Sequence, residues 1–230
     1  NFITFKSVVK AISAINGLYA SFMPKPIDDK SGSGLHINLS LSKNGANIFK
    51  QGISKDSDAG YFIAGVLDKI AEITAFANPL INSYARLGSF EAPKYISWSR
   101  QNRSQLIRIP AAAGEYERME LRSPDPACNP YLTFALVLHA GLDGIEKKLE
   151  LPEPTDFNIY KADSEVLKNL KALPDNLEQA LDIMSRSKFV ERILTREIID
   201  KYLEIKLAEW NRYARSNDKN IVKQMYFKII

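Results

Sequence analysis

The stretch at residues 117–129, ERMELRSPDPACN, constrains this chain more than any other. Alternate residues of a strand point to opposite faces, so an extended reading puts Arg118, Glu120 and Arg122 on one side and Met119 and Leu121 on the other. Two guanidinium groups then flank one carboxylate. Charges taken out of water need partners, which makes such a row costly as pure structure. It suits a site that holds a divalent cation beside anionic ligands.

The rest of the chain supplies elements that could frame this strand. Residues 4–20 carry apolar side chains near helical spacing, with Thr4 as the expected N-cap and Gly17 near the end. Pro24 and Pro26 keep the next segment extended, and DDKSGSG at residues 28–34 has the composition of a turn-forming loop. Residues 35–41 then alternate strictly: Leu35, Ile37, Leu39 and Leu41 face one way, His36, Asn38 and Ser40 the other. Asn44-Gly45 predicts a hairpin turn, and residues 58–78 a long helix ended by Asn78-Pro79. Short strands are expected at residues 95–99 and 105–110, and Pro130 begins an apolar helix running to Leu149. Beyond Pro152 and Pro154 the composition turns to charged helical segments, about residues 176–194 and 195–216. Short strands among long helices, without regular alternation, predict an α+β fold. The sheet is expected to be antiparallel, with its polar face on one side and helices on the other.

With 230 residues, 45% hydrophobic and 25% charged, the chain falls in the ordinary globular range, and disordered and collagen-like classes are excluded. Its longest apolar runs, as at residues 133–140, fall well short of the roughly 20 residues of a membrane span, and no signal segment opens it; a cytoplasmic setting is expected. The single Cys128 gives no internal disulfide and reads as a small packing residue. The net charge of +4 is spread among acids, with no basic run interleaved with aromatics, so small anions fit better than nucleic acid. The chain opens Asn1-Phe2-Ile3, without an initiator Met and within a helical pattern, and is expected to be a piece of a longer protein.

Of the two histidines, His139 lies in the apolar FALVLHAGL helix and reads as a hydrogen-bonded packing residue. His36 follows a Ser-Gly-Ser-Gly loop on a polar strand face. With Glu120 it offers a nitrogen and an oxygen ligand compatible with Mg or Mn, which needs at least one further donor. Arg86, Arg100, Arg103, Arg108, Arg118 and Arg122 all fall in the strand-and-loop middle, where clustered cations point to an anion site. Phosphoryl transfer uses that arrangement, with cations around the migrating group. No Walker or dinucleotide fingerprint is present.

Three ordered segments, MPKPIDDKSGSGLHINLSL, ITAFANPLINSYARLGSFEAPKYISWSRQNRSQLIRIP and ERMELRSPDPACNPYLTFALVLHAGLDGI, resemble the glutamine synthetases, in particular the bacterial type I enzymes. The resemblance covers nearly the whole chain, most specifically residues 22–145. It implies the C-terminal, larger share of the family's catalytic domain, with a curved antiparallel sheet and its N-terminal portion missing. Residues 1–150 would bear the sheet and site, residues 151–230 the helical end. It further implies an ATP-dependent ligase that phosphorylates the γ-carboxylate of glutamate and lets ammonia displace phosphate. His36 and Glu120 would hold the Mg or Mn bridging the ATP phosphates. Arg86 and Arg122 would hold the glutamate carboxylates, with a backbone contact from Gly32. Arg103, Arg108 and Arg118 would bind phosphates, Arg103 also stabilising the transferring group, while Asn38 and Ser40 lie on the nucleotide side. Glu91 matches the flap glutamate that closes over the site and helps remove a proton from the amine adduct.

This chain departs from the family pattern in places. Asn38 stands where many members have a second histidine, and Ser31 where many have an asparagine. The flap reads ARLGSFEAP, shorter than the usual RLVPGYEAP. Tyr160 falls near a position adenylylated in some relatives, in surroundings too different to imply modification. The remaining metal carboxylates, and a small domain that completes a neighbour's site in the family's ring-shaped homo-oligomer, would precede Asn1, so the chain alone is expected to be inactive. Ligation of glutamate to another amine, such as a polyamine, and a non-catalytic role are the alternatives.

Overall fold

The computed structural model describes residues 1–230, the side chain of Gln51 excepted. Helix α1 (Phe2–Ile15) starts earlier than expected, with Asn1 rather than Thr4 at its N-cap. Three short strands follow: β1 (Ile37–Leu39), β2 (Ser42–Lys43) and β3 (Ala46–Asn47). Asn44 at φ 53° and Gly45 at φ 81° make the β2–β3 hairpin turn that Asn-Gly predicts. Helix α2 (Asp58–Ala77) is capped by Ser57, whose hydroxyl accepts from the Gly60 N–H. The one-turn α3 (Ser83–Arg86) leads to β4 (Trp98–Arg100), β5 (Ile107–Ile109) and β6 (Met119–Leu121). Helix α4 (Pro130–Lys147) has Asn129 as N-cap and Pro130 in its first turn. The chain ends in α5 (Ser164–Leu167), α6 (Leu177–Ser185), α7 (Lys188–Ala214) and α8 (Ile221–Tyr226).

The α+β class holds, but the sheet is mixed. Its order is β1-β6-β5-β4, antiparallel at β1/β6 and β6/β5 and parallel at β5/β4. A parallel pair ordinarily needs a crossover of a dozen or more residues. The short link here reverses through Gln101 at φ 63°, and the Asn102 and Gln105 side chains both donate to the Phe157 carbonyl. The loop is thus tied down by a later segment, an arrangement that local alternation does not encode.

The apolar face of the sheet, including Ile37, Ile107, Met119 and Leu121, joins α2, α4 and α6 in one buried cluster. Helices α2 and α4 approach closely at glycines: a Cβ on Gly65 would lie 2.2 Å from the Ala140 carbonyl oxygen. The expected segment at residues 176–194 is divided at residues 186–187 between α6 and α7, while the expected break near residue 194 falls inside α7, where Thr195 interrupts the helix at φ 62°, ψ 154°. Cys128 is buried as expected. His139 is not a packing residue: it is exposed, on the outer side of α4 with Phe134, Leu138 and Leu142. No helix among the described residues is long and apolar enough to cross a membrane.

Candidate active site

Strand register assembles the polar face. Glu120 of β6 stands opposite Asn38 of β1 on one side and Arg108 of β5 on the other, so three strands contribute one transverse row. Period-two alternation puts His36 and Arg122 on the same face beyond one side of this row, and Ser40 and Arg118 beyond the other. The Leu35 N–H is bonded to the Pro124 carbonyl, which holds the two strand ends together at the His36 side.

Glu120 is the hub. Its Oε1 lies 3.0 Å from His36 Nδ1, and its Oε2 accepts from Arg122 Nη1 at 3.3 Å. Arg108 Nε is 2.9 Å from Oε2 but lies off the N–H axis, an ion pair without a well-aligned hydrogen bond. The Glu120 side chain is 9% exposed and that of Arg122 3%, so both charges depend on these partners. Burial, reinforced by the Arg122 guanidinium, lowers the pKa of His36 from its ordinary value despite the Glu120 carboxylate. A neutral imidazole is the form that donates to a metal.

This pair has the right shape to share a hard cation. His36 Nδ1 and Glu120 Oε1, 3.0 Å apart and hydrogen-bonded to each other, are a nitrogen and an oxygen donor that would hold such a cation between them. They form a partial site: among the described residues no cluster of three His, Cys, Asp or Glu side chains is placed to hold a metal ion.

Beside this pair lies a pocket of about 300 Å³ whose wall includes Gly32, His36, Arg86, Phe90, Glu91 and Arg122. Arg86, 4% exposed, donates through Nη1 to the Ser123 carbonyl at 2.7 Å and through Nη2 to the Arg122 carbonyl at 3.2 Å. It therefore braces the backbone that carries Arg122 as well as lining the pocket. Gly32 and Gly34 pack directly on it: a Cβ on Gly34 would lie 2.4 Å from Arg86 Nη2, and one on Gly32 would strike the Pro24 carbonyl oxygen. That close approach explains two glycines of the SGSG loop. Arg122 also lines this pocket, while its Nε is buried without a hydrogen-bond partner.

The other expected residues are distributed along the same face. Arg118 Nε donates to Asn38 Oδ1 at 2.9 Å, joining two of the residues expected at the nucleotide. Ser40 stands exposed just beyond β1, outside the pocket. Glu91 follows a turn in which Phe90 has φ 54°, and its exposed carboxylate is 4.0 Å from Arg103 Nη1, itself exposed. Glu91 and Arg103 thus lie together at the rim. Arg100, one of the clustered arginines, instead donates to the Ile53 carbonyl, away from the pocket.

Several contributors were not singled out from the sequence. Ser89 and Phe90 line the pocket, and Tyr160, noted in the sequence only for its place near a modified position of relatives, has the Arg122, Glu91 and Arg86 charges as neighbours; burial pushes its phenol up to about 12. In QNRSQ, Asn102, Ser104 and Gln105 hold residues 157–159 in place, Ser104 Oγ accepting from the Ile159 N–H. Asp125 is fully buried, and burial raises its pKa although the Asn78 amide, the Ser83 hydroxyl and the Ala127 N–H all donate to it. An acid between two prolines in SPDP was the available signal for this support beneath the arginines.

The chain matches the family described as "Glutamine synthetase, catalytic domain" over residues 1–225. A glutamine synthetase of Methanosarcina mazei is 50% identical over 219 residues, covering 93% of this chain and 49% of that protein. One from Clostridium saccharobutylicum is 46% identical with the same coverage of each chain, 93% and 49%. Among solved structures, one described as "GmaS/ADP complex-Conformation 1" aligns with a TM-score of 0.82 at 32% identity, covering 95% of this chain and 51% of that one. The chain spans about half the length of the curated relatives it matches. On the family match over nearly all its residues, the chain belongs to the glutamine synthetase catalytic-domain family.

Proposed function

We propose that this chain supplies part of an active site that joins ammonia to glutamate, with ATP as phosphoryl donor, giving glutamine, ADP and phosphate. The observation that carries the reading is the Glu120 hub: a carboxylate shared by His36 and two arginines, next to a pocket whose wall includes Arg86 and Arg122. Family membership supports it, and the nucleotide side is supported by the neighbour described as a complex with ADP.

In this reading Arg122, at the pocket wall, receives a glutamate carboxylate, and Arg86 keeps Arg122 in place while presenting its own charge to the pocket. His36 and Glu120 would hold a Mg or Mn ion, which supplies charge neutralisation at the ATP phosphates. Arg108, Arg118 and Arg103 stabilise charge on the phosphates, Asn38 and Ser40 lying with Arg118 at the nucleotide end. Gly32 lets the chain come close enough for a backbone contact with glutamate. A γ-carboxylate oxygen attacks the terminal phosphorus and ADP leaves, forming γ-glutamyl phosphate. Ammonia nitrogen then attacks the acyl carbon, Glu91 takes a proton from the resulting ammonium, and phosphate departs with its bonding pair.

The whole enzyme is read as a cytoplasmic, ring-shaped homo-oligomer, of which this chain is the C-terminal part of the catalytic domain: a sheet-bearing region over residues 1–150 and a mainly helical one over 151–230. The 230-residue chain alone is inactive in this reading, because His36 and Glu120 are only two donors. Glutamine formation from glutamate, ATP, Mg and ammonia tests it, using the chain alone and the longer polypeptide with Glu120→Ala or Arg103→Ala. Turnover by the chain alone removes the claim of incompleteness, and unchanged turnover in both variants removes the site assignment. Ser31 and the Ser89-Phe90 turn, both at the pocket, keep a second amine in view. Success with a diamine where ammonia fails would change the acceptor.

A further inference from the structure

We infer that Lys25 is a positioning residue, a clasp that ties the Gly88–Glu91 turn to the loop at residues 28–34. Lys25 lies between Pro24 and Pro26, whose rings fix φ and hold the intervening residue extended. Its backbone is anchored by Asn82 Nδ2, which donates to the Lys25 carbonyl at 3.0 Å. The neighbouring Pro24 carbonyl accepts from the Ser33 N–H at 2.8 Å, docking the glycine loop beside it.

The side chain is the unusual part. Lys25 is 6% exposed, yet among the described residues no carboxylate forms an ion pair with it. A buried ammonium without a counter-ion is expensive unless other groups replace its hydration. Two do so here. Nζ donates to the Lys30 carbonyl, and it sits 4.3 Å from the centre of the Phe90 ring. Lys30 belongs to the loop that carries Ser31 and Gly32, and Phe90 to the turn that carries Glu91. One cation therefore links Phe90 of the pocket wall to the backbone of the residue that precedes Ser31 in the facing loop. Phe90 is 51% exposed and has φ 54°, so apolar burial alone does not explain its placement. With Phe90 held by Lys25 and the Glu91 carbonyl held by Arg122 Nη2 at 3.4 Å, the turn is pinned on both sides of the peptide that precedes the Glu91 side chain.

The consequence for chemistry rests on the role given to Glu91 above, and the test separates the two. Hydrogen exchange is followed by mass spectrometry in the peptide spanning residues 87–92 of the intact chain. Its Gly88 and Ala92 amides are bonded within the turn. Lys25→Met keeps the apolar stem and loses the charge; exchange is expected to rise on the order of tenfold. Lys25→Arg and Phe90→Tyr should stay near the parent, and Phe90→Leu should match Lys25→Met. The Lys25→Met/Phe90→Leu double variant should add nothing further. Parent-like exchange in Phe90→Leu, or strictly additive effects, overturns the clasp. Phe90 is surface-exposed, so that arm remains decisive if Lys25→Met does not fold. Turnover of the longer polypeptide is read separately: a fall in kcat with little change in KM for ATP is expected for Lys25→Met. Faster exchange with unchanged kcat leaves the clasp standing and removes Glu91 from the proposed reaction.

Discussion

Glu120→Gln is the sharpest test of the hub, because it preserves shape and removes only the charge. The Glu120 carboxylate has Arg108 Nε at 2.9 Å and Arg122 Nη1 at 3.3 Å, with its own side chain 9% exposed. In the variant, two guanidinium groups face one another across a neutral amide with little water available to replace the lost charge. Breaking a buried pair while leaving its partner charged costs about 3–5 kcal/mol. Arg108 is partly open to solvent, at 19% side-chain exposure, which favours the lower end, about 3 kcal/mol. With a urea slope of about 3 kcal/mol/M for a chain of this size, the unfolding midpoint should fall by about 1 M. Adding Arg108→Met to Glu120→Gln should recover part of that loss by removing one uncompensated cation. Urea unfolding followed by far-ultraviolet circular dichroism reads both. A midpoint within about 0.2 M of the parent for Glu120→Gln would mean that these charges are not interdependent, and the hub would lose its energetic basis.

Three further outcomes follow from packing, strain and charge. Gly65→Ala puts a methyl 2.2 Å from the Ala140 carbonyl oxygen and 2.8 Å from Gly144 Cα, so the α2–α4 crossing must open. A net loss of about 2 kcal/mol, after any gain in helix propensity, corresponds to a fall in Tm of roughly 4–8 °C by calorimetry, and an unchanged Tm refutes the close crossing. Thr195→Gly relieves a conformation almost confined to glycine and should raise Tm by roughly 2–4 °C, or about 1 kcal/mol; a decrease argues that Thr195 is not strained. Burial opposes ionisation of Asp143, but hydrogen bonds from Arg192 and Lys147 outweigh it and hold the carboxyl below its ordinary value. A depressed folded-state pKa contributes stability above the unfolded value, and that stability disappears as pH falls through the folded one. Arg192→Met should therefore lower Tm at pH 7 and narrow the gap between pH 7 and about pH 2; an unchanged gap refutes the pairing.

The legible features were those with local causes. Period-two alternation put His36, Asn38 and Ser40 on one face of their strand and Arg118, Glu120 and Arg122 on one face of theirs, because successive side chains of a strand must point oppositely. Asn44-Gly45 and Pro130 were readable for the same kind of reason: each depends on what one or two residues allow their own backbone to do. The motif resemblance then joined the polar strands into one expected site. Thr4 and His139 show the limit of local reading. A cap depends on where the first turn begins, and an apolar pattern does not say which helix face meets the core.

What tertiary structure decided is everything that required distant segments to meet. The parallel β4–β5 pair depends on Asn102 and Gln105 reaching the Phe157 carbonyl, more than fifty residues away. Arg86 became a brace because the chain turn after β6 offers it the Arg122 and Ser123 carbonyls. Lys25, unremarkable in MPKPI, joins the Phe90 ring to the Lys30 carbonyl because the fold brings those two segments to it. The sequence by itself determined which residues face the same way on each strand, since that follows from the covalent geometry of the backbone. Only the folded chain determined which of them share a charge, since Coulomb and hydrogen-bond energies depend on distance and burial that no local pattern contains.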